Sequence, residues 1–146
     1  MGSGSENLLF LMSQIRSSTN RILVQEMERR GIRNVSPADG DVLYVVARYQ
    51  PVEMGEISKH THRDKSTIAG TVKGLVMKGY VTRTRAREDF RKYNVRLTRK
   101  AILLAPILRE ISESFRGSLL KGFKKEEVYL LGQFLERMQS NLEDSE

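Results

Sequence analysis

From Asp64 to Lys73 the chain reads Asp-Lys-Ser-Thr-Ile-Ala-Gly-Thr-Val-Lys, and from Arg87 to Lys92 it reads Arg-Glu-Asp-Phe-Arg-Lys. These runs combine hydroxyls, small residues and guanidiniums. Such groups suit phosphate oxygens and base edges better than bond-breaking chemistry. Thirteen of the 25 lysines and arginines lie between Ile57 and Lys100, against only Asp64, Glu88 and Asp89, a local excess of ten positive charges in a chain of net +7. A bias of that size on one compact unit is the footprint of a polyanion-binding surface, and duplex DNA fits it best.

Individual roles follow from periodicity. At 100° per residue, Ile68, Val72, Leu75 and Val76 share the core face of one helix. Ser66, Thr67, Gly70 and Lys73 lie opposite, flanked by Thr71. Short polar side chains let a helix backbone sink into the ~12 Å major groove, where Thr67 and Thr71 are expected to read bases. Lys73 and Lys92 are expected near phosphates, with Arg63 as a further phosphate contact; Lys65 and Arg87 complete the DNA-facing set. At the tip, Arg91 is the residue expected in the minor groove, with Asp89 holding its guanidinium and Phe90 bracing the loop.

Other chemistry finds little support. His60 and His62 are two residues apart, so a helix points them to different faces, and no third ligand accompanies them; no metal site and no cofactor are expected. His62 reads instead as a turn residue packing under the DNA-facing helix. There is no phosphate-cradling glycine run and no cysteine, which removes disulfides, thiolate ligands and thiol redox sensing together. The chain does not read as an enzyme. It has no stretch approaching the ~20 apolar residues of a membrane span and reads as soluble and cytoplasmic.

The elements that must position these residues are mostly helical. Met1 to Ser5 reads as an expression scar or flexible lead. A long amphipathic helix then carries Leu8, Leu11, Ile15, Ile22 and Met27, with Gly31 as its stop. Ser36-Pro37 opens a second helix with Val42, Leu43, Val46 and Ala47 inward. A short helix around Ile57 and a tight turn lead to the helix capped by Asp64 and stopped by Gly79, a helix-turn-helix. Tyr80 to Arg85 and Tyr93 to Leu97 form a β-hairpin around the charged tip. Thr98 starts a fifth helix with Leu104, Leu108, Ile111, Phe115 and Leu119 as its stripe and a kink expected at Pro106. The last helix, from about Lys125 to Leu142, carries Val128, Leu131, Leu135, Met138 and Leu142 at heptad spacing. Leu8, Leu11, Ile15, Leu131, Leu135 and Met138 would be bare on a monomer, and burying them asks for a two-fold dimer. An apolar content of 39% suits a small chain completed by dimerising.

Taken together, the chain resembles the MarR family of winged-helix transcriptional regulators from about Asn7 to Leu142. The resemblance rests on Asp64-Lys65-Ser66-Thr67-Ile68, on Leu75-Val76-Met77-Lys78-Gly79-Tyr80-Val81, and above all on Asp89-Phe90-Arg91 followed by Val95-Arg96-Leu97-Thr98. Arg63 and Ala101 depart from the family pattern, where a small or aliphatic residue and a glycine are usual. The resemblance implies a mainly α fold with a small β-hairpin wing, divided into a winged helix-turn-helix over 36–97 and a helical dimerisation region over 6–35 and 98–146. It further implies a homodimeric repressor on a palindromic operator. A small aromatic or anionic effector would bind between dimer core and DNA-binding lobe, where Arg16, Tyr44, Arg48 and His62 have the suitable chemistry. Without cysteine, the family's peroxide-sensing branch is disfavoured. The alternative function is an architectural or weakly specific DNA-binding protein with no effector.

Overall fold

The computed structural model describes residues 4–145, so Met1 to Ser3 of the expected lead lie outside the described residues. The chain forms two compact units, the first ending at Ile111 and the second starting at Ser112. In the first unit the order is α1 (Gly4–Arg29), α2 (Pro37–Tyr49), β1 (Val52–Glu53), α3 (Met54–Thr61), α4 (Lys65–Met77), β2 (Val81–Arg85) and β3 (Tyr93–Leu97), followed by the start of α5 (Arg99–Leu119). The second unit holds the rest of α5 and α6 (Lys125–Glu143). Among the described residues no helix is long and apolar enough to cross a membrane.

Local chemistry sets the boundaries. The α1 helix begins at Gly4, two residues inside the expected lead, and ends where Gly31 takes φ +79. There the Ile32 N–H donates to the Met27 carbonyl at 2.9 Å and Gly31 N–H to Glu28 at 3.0 Å, a pair of bonds that satisfies the last carbonyls. At the start of α2, the Ser36 hydroxyl accepts from Asp39 N–H at 3.1 Å and the Asp39 carboxylate accepts from Ser36 N–H at 2.9 Å. Gly79, also at φ +79, ends α4 the way Gly31 ends α1, with Tyr80 N–H bonded to the Leu75 carbonyl.

Ile57, Ile68, Leu75, Val42, Val46, Val72, Val81 and Val95 are fully buried, so one core joins α2, α3, α4 and the sheet. Two expected core positions are corrected. Ala47 is exposed and Val45 takes its place, because Ala47 lies about 140° round α2 from Val42 at 100° per residue. Val76 is 40% exposed, on the flank of a face centred on Ile68, Val72 and Leu75. The sheet has three strands rather than two, in the order β1-β3-β2 and antiparallel throughout. β1 adds only Val52 opposite Val95 and Glu53 opposite Asn94, too short for an alternating pattern to announce it.

The α5 helix runs from Arg99 to Leu119 through Pro106 without a break. Of its expected stripe only Ile111 is buried, and Leu119 is exposed. In α6 no residue is buried, and Leu131, Leu135 and Leu142 face solvent.

Candidate nucleic-acid interface

The α4 helix is positioned at both ends by carboxylates. At its N-terminus Asp64 Oδ1 accepts from the Thr67 N–H at 2.8 Å and the Ser66 hydroxyl at 2.6 Å, while Oδ2 accepts from the Thr67 hydroxyl at 2.9 Å. These bonds, led by that from Ser66, hold the Asp64 carboxyl down at about 2. At the C-terminus Lys78 Nζ donates to Asp39 Oδ2 at 2.7 Å; Asp39 is 4% exposed and already caps α2. Lys100 in turn donates to the Lys78 carbonyl at 2.8 Å and lies 4.5 Å over the Tyr80 ring. The start of α2 and the end of α4 are therefore held by a half-buried ion pair, and losing Lys78 would leave the buried Asp39 carboxylate without its cation.

Between these anchors α4 turns Lys65, Ser66, Thr67, Gly70 and Lys73 to solvent, with Thr71 half-buried beside them. Thr71 donates its hydroxyl proton to the Thr67 carbonyl at 3.0 Å. All three hydroxyls of this face thus donate within the helix, and what they offer outward is oxygen lone pairs and threonine methyls. A methyl at Gly70 or Gly74 would meet no heavy atom within 4 Å, so packing does not demand glycine at either position.

The wing is braced from inside. Arg83 and Arg85 stand 4.6 and 5.3 Å over the Tyr93 ring, and Arg85 Nη1 donates to the Phe90 carbonyl at 2.6 Å. Across the loop, Ala86 N–H bonds to the Lys92 carbonyl at 2.9 Å and Lys92 N–H to the Asp89 carbonyl at 3.0 Å. At the tip Asp89 Oδ1 accepts from the Arg91 N–H at 3.0 Å and from its Nε at 3.2 Å, bonds that lower the Asp89 pKa, the backbone one most. The Arg91 side chain is 91% exposed, a guanidinium held at its root and free at its head. Phe90 braces the loop through its carbonyl, not through its ring, which is exposed. Arg87 is exposed on the same loop.

Several cations of the charged stretch are paired with carboxylates of the same unit. Lys78 meets Asp39, Arg63 meets Asp41 at 2.9 Å, Lys92 meets Glu53 at 3.3 Å and Lys59 meets Glu56 at 3.5 Å. Counting charge along the sequence misses these partners, because three of the four carboxylates come from α2 and β1.

The four residues with effector-like chemistry are only partly brought together. Arg48 lies beside Tyr49 and Tyr44, and the Tyr49 hydrogen bond raises its pKa most. Arg16 donates to Asp41 at 3.3 Å. His62 does not pack under α4; it is exposed at the C-cap of α3 with φ 52, while His60 stacks on Tyr49 at 4.3 Å. A cavity of about 390 Å³ is lined by Val24, Glu28, Ile32, Asn34, Val35, Ser36 and Lys78, and so by none of the four.

A helix-turn-helix with a carboxylate-anchored second helix, flanked by a three-stranded sheet whose β2–β3 loop is basic, defines the first unit as a winged helix-turn-helix. Residues 33–92 match the MarR family model. HTH-type transcriptional regulator SarZ of Staphylococcus haemolyticus is 29% identical over 72 residues, and the match spans about half the length of either protein (49% of each). Among solved structures, a MarR protein from Peptoclostridium difficile superposes with a TM-score of 0.87 at 21% identity, covering 99% of this chain and 91% of its own. MepR of S. aureus, solved as a complex with DNA, gives 0.82 at 20% identity, covering 96% and 99%. The chain has the winged helix-turn-helix fold of these structures, and its residues 33–92 are similar to the MarR family.

Proposed function

We propose that the protein is a sequence-specific transcriptional regulator, a repressor that binds a palindromic operator in duplex DNA as a homodimer. The observation that carries this reading is the pairing, within one packed unit, of an exposed small polar face on α4 with the Asp89-held Arg91 at the wing tip. The face fits the major groove, and a lone oriented guanidinium fits the narrow minor groove beside it. The family match over 33–92 and the fold shared with a DNA-bound relative support the same assignment. Release by a small aromatic acid is part of the proposal, with Arg16, Arg48, Tyr44 and His62 supplying the cationic and aromatic groups.

Selection of duplexes from a random library, followed by anisotropy titration, tests this. A regulator binds the selected duplex ~10³-fold or more tighter than a scrambled one. Arg91→Ala is expected to weaken that binding while leaving circular dichroism and melting unchanged, since the side chain packs against no core. Millimolar salicylate is expected to raise the dissociation constant, and peroxide to leave it alone in a chain without thiols. A specificity ratio near one replaces the regulator with an architectural DNA-binding protein.

A further inference from the structure

One carboxylate oxygen on α2 serves two guanidiniums from different elements. Asp41 Oδ2 accepts from Arg63 Nη2 at 2.9 Å and from Arg16 Nη2 at 3.3 Å. Arg63 sits in the turn immediately before the α4 cap, and Arg16 is on α1. The backbone at Arg63 is pinned on both sides. Its carbonyl accepts from the Ser58 hydroxyl, its N–H bonds to the Ser58 carbonyl at 3.3 Å, and the next residue is the Asp64 cap. Only the guanidinium is left to move. Its side chain is 29% exposed, against 61% for Arg16.

We infer that Asp41 is a positioning residue that withholds Arg63 from phosphate in the free protein. When duplex arrives, Arg63 exchanges the Asp41 oxygen for a phosphate oxygen, and Arg16 keeps Asp41 paired. The inference rests on the DNA-binding reading above. The exchange is easy because the pair is only partly buried, ion pairs near the surface are individually weak, and one anionic oxygen replaces another. Its consequence is that Arg16, a residue of α1, tunes DNA affinity from outside the helix-turn-helix. Arg16 and Arg63 have opposite claims on the same carboxylate: strengthening one hold loosens the other.

The test uses the full-length chain with a library-selected duplex and a mixed-sequence duplex, titrated across a range of salt, with circular dichroism on each variant. Arg63→Ala is expected to weaken binding to both duplexes and to flatten the salt slope by about 0.9 per protomer, the loss of one phosphate contact. Asp41→Asn is expected to tighten binding roughly two- to five-fold with the slope unchanged, the range that a pair near the surface supports. Arg16→Ala is expected to weaken binding by a similar factor, and this effect should vanish in the Asp41→Asn background. If Asp41→Asn does not fold, Arg16→Ala in an Arg63→Ala background carries the test: its side chain is exposed, and its effect on binding should vanish once Arg63 is gone, whereas a net-charge effect persists and overturns the inference. If Asp41→Asn tightens binding equally in an Arg63→Ala background, the effect is net charge alone and the inference is overturned. Wild-type binding with no response to Arg63→Ala overturns it too. Failure of wild type to bind either duplex instead removes the DNA-binding reading, and this inference with it.

Discussion

Asp64 shows how much one side chain can settle. Its two oxygens take the Thr67 amide and the hydroxyls of Ser66 and Thr67, which fixes the first turn of α4 and orients the groups that face outward. Those hydroxyl oxygens remain acceptors, suited to the exocyclic amines of adenine or cytosine, while the threonine methyls suit thymine. The same bonds lower the Asp64 carboxyl from an ordinary 3.8 to about 2. A depressed carboxyl stabilises the fold fully above the unfolded value near 3.8 and loses that contribution as pH falls through about 2. The α4 cap is therefore expected to survive acidification that protonates ordinary carboxyls. A carboxyl-resolved NMR titration checks it, and a midpoint near 3.8 would show that the cap bonds do not persist in solution. Relations of this local kind were legible in the sequence, since Asp64 to Thr67 and Asp89 to Arg91 span three and two residues. The Asp41–Arg63 and Asp39–Lys78 pairs span 22 and 39 residues and depend on tertiary packing that charge counting does not see.

At the scale of elements, the helix order, caps and hairpin followed from periodicity and stop signals. What periodicity left open was rotation. Apolar residues at three- and four-residue steps admit neighbouring faces, and α2 buries Val45 instead of Ala47 because Asp39, at its first turn, must also face inward toward Lys78. β1, at two residues, is too short to carry an alternating pattern; it exists through its ladder with β3. The face of α4 gives a sharper test of what the element is for. A glycine in mid-helix is less favourable than alanine by about 1 kcal/mol, and the space around Gly70 is open. Gly70→Ala is accordingly expected to raise unfolding stability by about 1 kcal/mol in urea denaturation. If the α4 backbone sits close to the groove floor, the same methyl lowers affinity for the selected duplex. A variant that gains stability and binds like wild type would mean that α4 keeps its distance from the bases.

For the whole molecule, the decisive feature is surface that a monomer leaves in water. Leu8, Leu11 and Ile15 are exposed along α1, and in the second unit Leu131 and Leu135 are exposed on a helix that buries none of its residues. Helices gain most of their stability in proteins from packing an apolar face, and a heptad seam is the pattern of a helix that packs against another. The proposed homodimer supplies that packing and sets two α4 helices about one DNA turn, roughly 34 Å, apart, which is what a palindrome requires. Folding, assembly and operator recognition then depend on the same residues. Leu135 is 45% exposed in the single chain, so a charge there is tolerable to the protomer alone and intolerable in an apolar interface. Leu135→Asp is therefore expected to abolish the proposed dimer, with light scattering as the readout, and to give aggregated or unfolded protein because the remaining stripes stay bare. A well-behaved Leu135→Asp monomer that still binds a half-site tightly would break the link between assembly and recognition.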